Sequence, residues 1–303
     1  MAIQDNPVAN RRTFLKASTG VAALLHPLGR ANAAASGKRE IHKAIMYETV
    51  GLKGSVLEKF QAVKAAGFEG IEPMSHMNQE EVLAAFKTTG LKPASVCCAT
   101  HWEKPLSDPD PSVRAEGLKG LKQALQDAKA YGASSVLLVP AVVSKKVSYT
   151  DAYARSQEEI RKAVPLAEQL GVRIAIENVW NHFLMSPLEA ARYVDEFHSP
   201  AVGWHFDIGN IIAFGWPEQW IRILNKRIAK LHIKEYSREK QKKEGMEAGF
   251  NVDFLEGDDD WPTVMKALDE IGYSGWGIAE QPGGDTAEGL RGLSTKMDQI
   301  FAS

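Results

Sequence analysis

Four short apolar runs in the C-terminal half of the chain each end in a side chain that can hold a metal or move a proton. Ala175-Ile176 leads into Glu177 and Asn178, His205-Phe206 into Asp207, Leu231 into His232 and Ile233-Lys234, and Ile278-Ala279 into Glu280. Burying an unpaired carboxylate is costly, so three of them converging with an imidazole call for a shared cation. Glu177, Asp207, His232 and Glu280 form a mainly oxygen-donor set for one divalent ion. Mn2+ matches it best, and Mg2+, Co2+ or Zn2+ also suit it. A single strand-end Asp or Glu is as often a helix cap; the repetition over successive strand ends carries the reading.

The elements that must position these groups alternate regularly. β-like runs are expected at Ile41–Tyr47, Phe68–Glu72, Pro93–Ala99, Ser135–Pro140, Arg173–Glu177, Val202–Asp207, Ile228–Lys234 and Gly277–Glu280. They are short and apolar, as strands covered on both faces are. Between them lie helix signals: the capping-box spacing of Ser55 and Glu58, Asn78 and Glu81 with Gly90 beyond, Asp110-Pro111 with Gly132, and Ser186-Pro187 with Glu189. One long helix is expected over 150–170, kinked or begun anew at Pro165, with further starts at Trp216-Pro217 and Asp260-Trp261-Pro262. Strand and helix repeated eight times predict a single α/β domain, a (β/α)8 TIM barrel over 41–303, with reactive groups at the C-terminal strand ends. No Gly-x-Gly-x-x-Gly follows the first run, which removes the nucleotide-binding form of an open sheet. The longest irregular stretch, Glu235 to Asp260, reads as a solvated loop or as a lid over the barrel mouth.

The N-terminus reads as an address rather than as fold. Arg11-Arg12-Thr13-Phe14-Leu15-Lys16, the apolar stretch from Ala17 to Leu28, and Ala31-Asn32-Ala33 resemble a bacterial twin-arginine (Tat) export signal. The expectation is a signal peptide over 1–33, a linker over 34–40 and a periplasmic or secreted mature protein without a membrane anchor. The apolar stretch is too short and too broken by Gly20, His26 and Pro27 to span a bilayer. Hydrophobic residues make up 44% and charged residues 24%, enough for a sizeable core. A net charge of −2, with no basic run beyond Lys240-Gln241-Lys242-Lys243, argues against a nucleic-acid partner. Adjacent Cys97 and Cys98 point to opposite faces of a strand and are expected as two buried thiols, not a disulfide.

With these residues in place, the chain is identified as resembling the xylose isomerase-like TIM-barrel superfamily, near the ketose 3-epimerases and inosose dehydratase. The resemblance covers essentially the whole expected mature chain. It implies a sugar isomerase or epimerase in which Glu177, Asp207, His232 and Glu280 hold the metal, the two glutamates transfer the proton, and Arg238, six residues after His232, contacts substrate. The chain departs from ketose 3-epimerases at two positions: Asn210 stands where they have His, and Phe183 where they have Glu. That difference in the sugar-reading shell keeps a lyase or hydratase acting on a 3-keto-glycoside as the alternative.

Other candidates for substrate contact have two readings each. Lys234 and His205 share the inward face of their strands with His232 and Asp207. His205 could support the metal ligands, touch substrate or simply fill a barrel layer. His101-Trp102 could stack on a sugar or cover the barrel top. His182 and Asn210, just beyond the fifth and sixth strands, complete the set, while Glu48 and Glu72 are weaker hydroxyl binders. Most tryptophans are expected in the core. The partner is therefore a small-molecule sugar, and a homo-oligomer is left open. A DNA-repair nuclease of the same fold needs more histidines than the 8 present, and a non-catalytic sugar-binding protein would not need two opposed glutamates.

Overall fold

The computed structural model describes residues 39–303, so the expected export signal and residues 34–38 of the expected linker lie outside the described residues. Nine strand segments, β1 (Ile41–Met46), β2 (Gly70–Glu72), β3 (Lys92–Pro93), β4 (Val96–Cys97), β5 (Ser135–Leu138), β6 (Arg173–Glu177), β7 (Val202–Asp207), β8 (Ile228–Ile233) and β9 (Gly275–Ala279), make one sheet. Its order is β3-β2-β1-β9-β8-β7-β6-β5-β4 and every pairing is parallel.

The two ends of that order belong to one stretch of chain. β3 pairs with β2 and β4 with β5, and Met74 bridges to Cys97, so the run 92–97 closes the sheet into a barrel. The expected third strand is thus two pieces. Pro93 has no N–H to give the ladder, and Ser95 turns its hydroxyl to the Ser135 carbonyl at 3.2 Å. The α/β barrel expected from the alternation is the fold observed.

The outer layer is helical: α1 (Val56–Ala65), α2 (Gln79–Thr89), α3 (Pro111–Tyr131), α4 (Tyr149–Arg161), α5 (Val164–Leu170), α6 (Pro187–Asp195), α7 (Gly209–Ile212), α8 (Pro217–Leu224), α9 (Arg238–Glu244), α10 (Trp261–Glu270) and α11 (Ala287–Ala302). The capping box of Ser55 and Glu58 starts α1, and the Asn78 side chain accepts from the Glu80 and Glu81 amides at α2. Gly90, Gly132 and Gly171 end their helices in the left-handed region that favours glycine. The expected 150–170 helix is two, because Pro165 can sit in the first turn of α5 but not inside a longer helix. The stretch expected to be irregular contains α9 and a 3-10 turn at Glu247–Phe250.

The main core lies between strands and helices and includes Phe60, Phe68, Leu121, Leu125, Trp204, Phe206 and Met265. A second apolar group, Ala44, Met46, Ala94, Cys97, Leu137 and Ile278, packs separately from it. The strand register places it inside the barrel, since Ala44 lies beside Ile278 and Ile278 beside His232. Both cysteines are free and buried, as expected. Among the described residues no helix is long and apolar enough to cross a membrane.

One buried carboxylate ties the long segment after β8 to the barrel. Glu235 Oε2 accepts from the Leu255 amide at 2.7 Å and from Trp261 Nε1 at 2.8 Å, and Oε1 accepts from the Asp259 amide at 3.2 Å. Gly257 passes so close that a Cβ there would lie 2.5 Å from Glu235 Oε1. Glu235→Ala orphans three donors and should cost on the order of 3 kcal/mol, read as a fall in Tm of roughly 6–12 °C. A Tm within a degree of the unaltered protein would remove this anchoring role.

Candidate functional site

The parallel register brings the strand-end groups to one place. Residues opposite one another in a parallel pair share a face, and Asp207 lies beside His232, Glu177 beside His205, and Met46 beside Glu72. Period-two alternation then turns Lys234 and Glu280 inward after His232 and Ile278. Gly209 lets the chain after Asp207 fold tightly over β8, because a Cβ there would lie 2.6 Å from the Lys234 carbonyl oxygen.

His232 is at the centre. Its Nδ1 is 3.1 Å from Glu177 Oε1, 3.0 Å from Glu280 Oε2 and 3.9 Å from Asp207 Oδ2. Ligand atoms of these four residues all lie within 4.8 Å of one another. Asp207 Oδ2 and Glu280 Oε2 are buried and face only the cationic side chain of Lys234 and the His232 ring. Converging carboxylate oxygens plus one imidazole nitrogen fit a divalent cation. Asn178 braces the arrangement: its Oδ1 accepts from the Asp207 amide at 3.1 Å and from Trp204 Nε1 at 3.0 Å, and its Nδ2 donates to the Asp207 carbonyl at 2.7 Å. Asn210 donates its amide to Asp207 Oδ1 at 2.8 Å and its Nδ2 to the Asn178 carbonyl at 2.9 Å.

Lys234 supplies positive charge to the same group, with Nζ 3.1 Å from Asp207 Oδ2 and 2.7 Å from Glu280 Oε2. It also lies over the Phe250 ring, 5.1 Å from the centroid. The glutamates are driven apart electrostatically. Burial pushes the Glu177 carboxyl up to about 7, opposed by its contact with His232. Burial also acts on Glu280, but Lys234 and His232 override it and hold that carboxyl well below the usual range. Asp207 is pushed up to about 6 by burial, with Lys234 opposing.

A cavity of about 260 Å3 opens above these groups, lined by Glu177, His232, Lys234, Glu280, His101, Trp102, Val179, Trp180, Asn210, Glu247 and Phe250, with Met46, Cys97 and Leu137 also in its wall. That is space for a small polar molecule, not a polymer. His101 is buried to 7% exposure, and its Nδ1 accepts from the Val139 amide at 3.2 Å, which leaves the proton on Nε2. Burial lowers its pKa to about 4, so it is a neutral donor.

Three expected substrate contacts lie elsewhere. Arg238 donates to the Ile212 and Gly215 carbonyls at 2.9 and 2.8 Å and lies over Trp216, clamping the segment before α8 instead of lining the cavity. His182 is exposed, in a left-handed turn with φ 58°, and does not line the cavity. His205 is fully buried, edge-on to His232 with ring centroids 4.2 Å apart, and does not line the cavity. Glu48 is exposed, Glu72 is fully buried with Oε2 3.0 Å from His232 Nε2, and neither lines the cavity. Trp180 and half-exposed Trp102 line the cavity and Trp216 is exposed, whereas Trp204 and Trp261 are core residues. Phe250 and Glu247 were hidden in the segment expected to be irregular. Its aromatic residue there was the available signal, and their place in the cavity wall supports the lid reading.

The family described as Xylose isomerase-like TIM barrel matches residues 60–296. The L-ribulose-5-phosphate 3-epimerase UlaE of Escherichia coli K12 is 27% identical over 263 residues, 80% of this chain and 89% of that protein. The structure of 3-keto-D-glucoside 4-epimerase YcjR from E. coli superposes with a TM-score of 0.72 at 19% identity, over 86% of this chain and 98% of that one. IOLI, solved with a zinc atom, superposes with a TM-score of 0.70 at 18% identity and the same coverage. The structural likenesses share the barrel fold.

Burial of Glu177 has a measurable sign. Its folded pKa of about 7 exceeds the unfolded value of 4.5, so between those values unfolding releases a proton that the folded metal-free protein keeps. Its contribution to stability is therefore lost as pH rises through that window. Metal-free Glu177→Gln should gain on the unaltered protein in Tm as pH goes from about 4.5 to 7. A Tm difference independent of pH would show that Glu177 ionises as an exposed carboxylate does.

Proposed function

Because the chain belongs to the xylose isomerase-like TIM-barrel family, we propose that it is a divalent-metal-dependent sugar isomerase or epimerase that moves a proton at a carbon next to a carbonyl. The observation that carries the reading is one small cavity lined by Glu177, Glu280 and His232, three of the four residues of a metal-fitting set whose fourth, Asp207, lies buried beside them. Glu177, Asp207, His232 and Glu280 would hold the ion. When bound, it supplies Lewis acidity that polarises a carbonyl and its neighbouring hydroxyl. The donor set favours Mn2+ for this chain, while zinc is what the IOLI structure holds.

The side chains divide the remaining work. Glu177 and Glu280 remove and return the proton, one from each face of the reacting carbon. Lys234 offers its ammonium to the oxygen that gains charge. His101 presents Nε2–H to a hydroxyl, and Trp102, Trp180 and Phe250 give apolar walls for a sugar ring. Lys234 is the single Lys or Arg among the lining residues and is already paired with two carboxylates. That supports an unphosphorylated substrate, unlike the L-ribulose-5-phosphate named for UlaE.

The second reading, a lyase or hydratase on a 3-keto-glycoside, rests on the departures from ketose 3-epimerases. Phe183 is buried against Tyr149, Tyr153 and Tyr193, so this position gives the cavity no carboxylate. The barrel's likeness to YcjR, named for a 3-keto-glucoside, makes that class the one to test first.

Incubation of the Mn2+-loaded protein with keto-sugars in D2O separates these readings. An epimerase or isomerase should place deuterium beside the carbonyl in a product of unchanged formula, and a lyase should leave an unsaturated keto-sugar. Glu177→Gln and Glu280→Gln should each lower turnover by at least about 100-fold, the low end for a lost general base. Robust 3-epimerisation of free fructose or tagatose would overturn the shell argument. Sugar binding with no metal-dependent exchange would leave a binding protein.

We also propose that the protein acts in the periplasm or beyond after Tat export, on the strength of Arg11-Arg12 and the stretch that follows. Changing both arginines to lysine should trap uncleaved precursor in the cytoplasm. Normal processing near Ala33 in that double variant would remove the proposal.

A further inference from the structure

We infer that Glu72 is a positioning residue for His232, holding its Nε2–H so that the lone pair of Nδ1 faces Glu177, Asp207 and Glu280. The inference rests on the metal reading above and goes beyond it, because Glu72 belongs to neither the ligand set nor the cavity wall.

A neutral imidazole has one N–H and one lone pair, and its partners decide which nitrogen carries which. His232 has a carboxylate at each ring nitrogen, Glu72 Oε2 3.0 Å from Nε2 and Glu177 and Glu280 oxygens 3.1 and 3.0 Å from Nδ1. A ligating imidazole keeps only one proton, and with an ion among the three carboxylates that proton stays on Nε2, donated to Glu72. The sole lone pair of the ring is then on Nδ1, the nitrogen 3.0 to 3.9 Å from oxygens of the three other ligands. A carboxylate behind a ligating histidine fixes its tautomer, orients the ring and makes it a better donor.

Two further features fit this role. Glu72 has 0% exposure at the end of β2, across the barrel from β8 in the sheet order, so a carboxylate has been carried deep into the interior to meet this one ring. His205, also at 0% exposure, stands edge-on to His232 at 69° and limits the turning of the ring. Glu72 Oε1 remains 4.0 Å from His205 Nδ1, so its one short side-chain contact is the bond to His232.

The test uses 15N-histidine-labelled full-length protein loaded with Zn2+, a diamagnetic probe, with His232 assigned by its loss in His232→Gln. Long-range 1H–15N correlation should show Nδ1 bound to zinc and Nε2 protonated. Calorimetric titration with Mn2+ should show Glu72→Gln binding ~10–100-fold more weakly than the unaltered protein. The inference is overturned by zinc on Nε2, or by unchanged Mn2+ affinity in a folded Glu72→Gln. If that variant does not fold, the spectrum of the unaltered protein decides alone. Failure of the unaltered protein to take up either metal removes this inference and the metal reading together, whereas uptake through Nε2 removes this one only.

Discussion

The site is organised by an electrostatic demand: three carboxylates point at one imidazole nitrogen at the mouth of the barrel, with Glu177, Asp207 and His232 buried. Mutual repulsion and lost hydration both oppose that arrangement, and only positive charge at the centre relieves them. Asn178, Asn210 and the close turn at Gly209 hold Asp207 against that repulsion. The carboxyls of Glu177 and Asp207 are raised by burial, while Glu280, next to Lys234 and His232, stays ionised. Residues of the same type thus come to differ in acidity by where the barrel puts them.

The barrel interior mixes two kinds of residue. Ala44, Met46, Ala94, Cys97, Leu137 and Ile278 are small or flexible groups that close space without competing for a cation. Between and beside them stand Glu72, His205, His232 and the carboxylates, with Met46 next to Glu72 and Ile278 next to His232. Lys230, at 6% exposure, finds Ser134 Oγ at 2.8 Å and extends the polar set further along β8. Polar groups in such a place cost stability relative to aliphatic packing. It is where this fold departs from ordinary core composition, and chemistry is the natural reason.

Much of this was legible in the sequence because strand ends obey a rule. An apolar run followed by a ligand-type residue places that residue at the C-terminal mouth, and Glu177, Asp207, His232 and Glu280 converge as that rule expects. The strand–helix alternation was equally readable, since caps and glycines mark it locally. What lay outside the strands was harder to read. Arg238 and His182 sit on connecting segments whose path is set by tertiary contacts, here the Ile212 and Gly215 carbonyls for Arg238. Glu72 was visible as a strand-end carboxylate, but not its partner, because a residue 160 positions away supplies the bond. The helix α9 escaped notice because its run of charged residues offers no apolar period; Ser237 caps it by accepting from the Lys240 amide.

Lys234 gives the acidic centre a counterion of its own. An all-acidic cluster would push itself open until a metal arrived, and the barrel would then depend on metal to finish folding. With an ammonium 2.7 Å from Glu280 and 3.1 Å from Asp207, the fold can close around a tethered cation that belongs to the chain. A lysine side chain is flexible enough to swing aside without disturbing β8. Assembly of the barrel and uptake of any divalent ion thereby become separable in time.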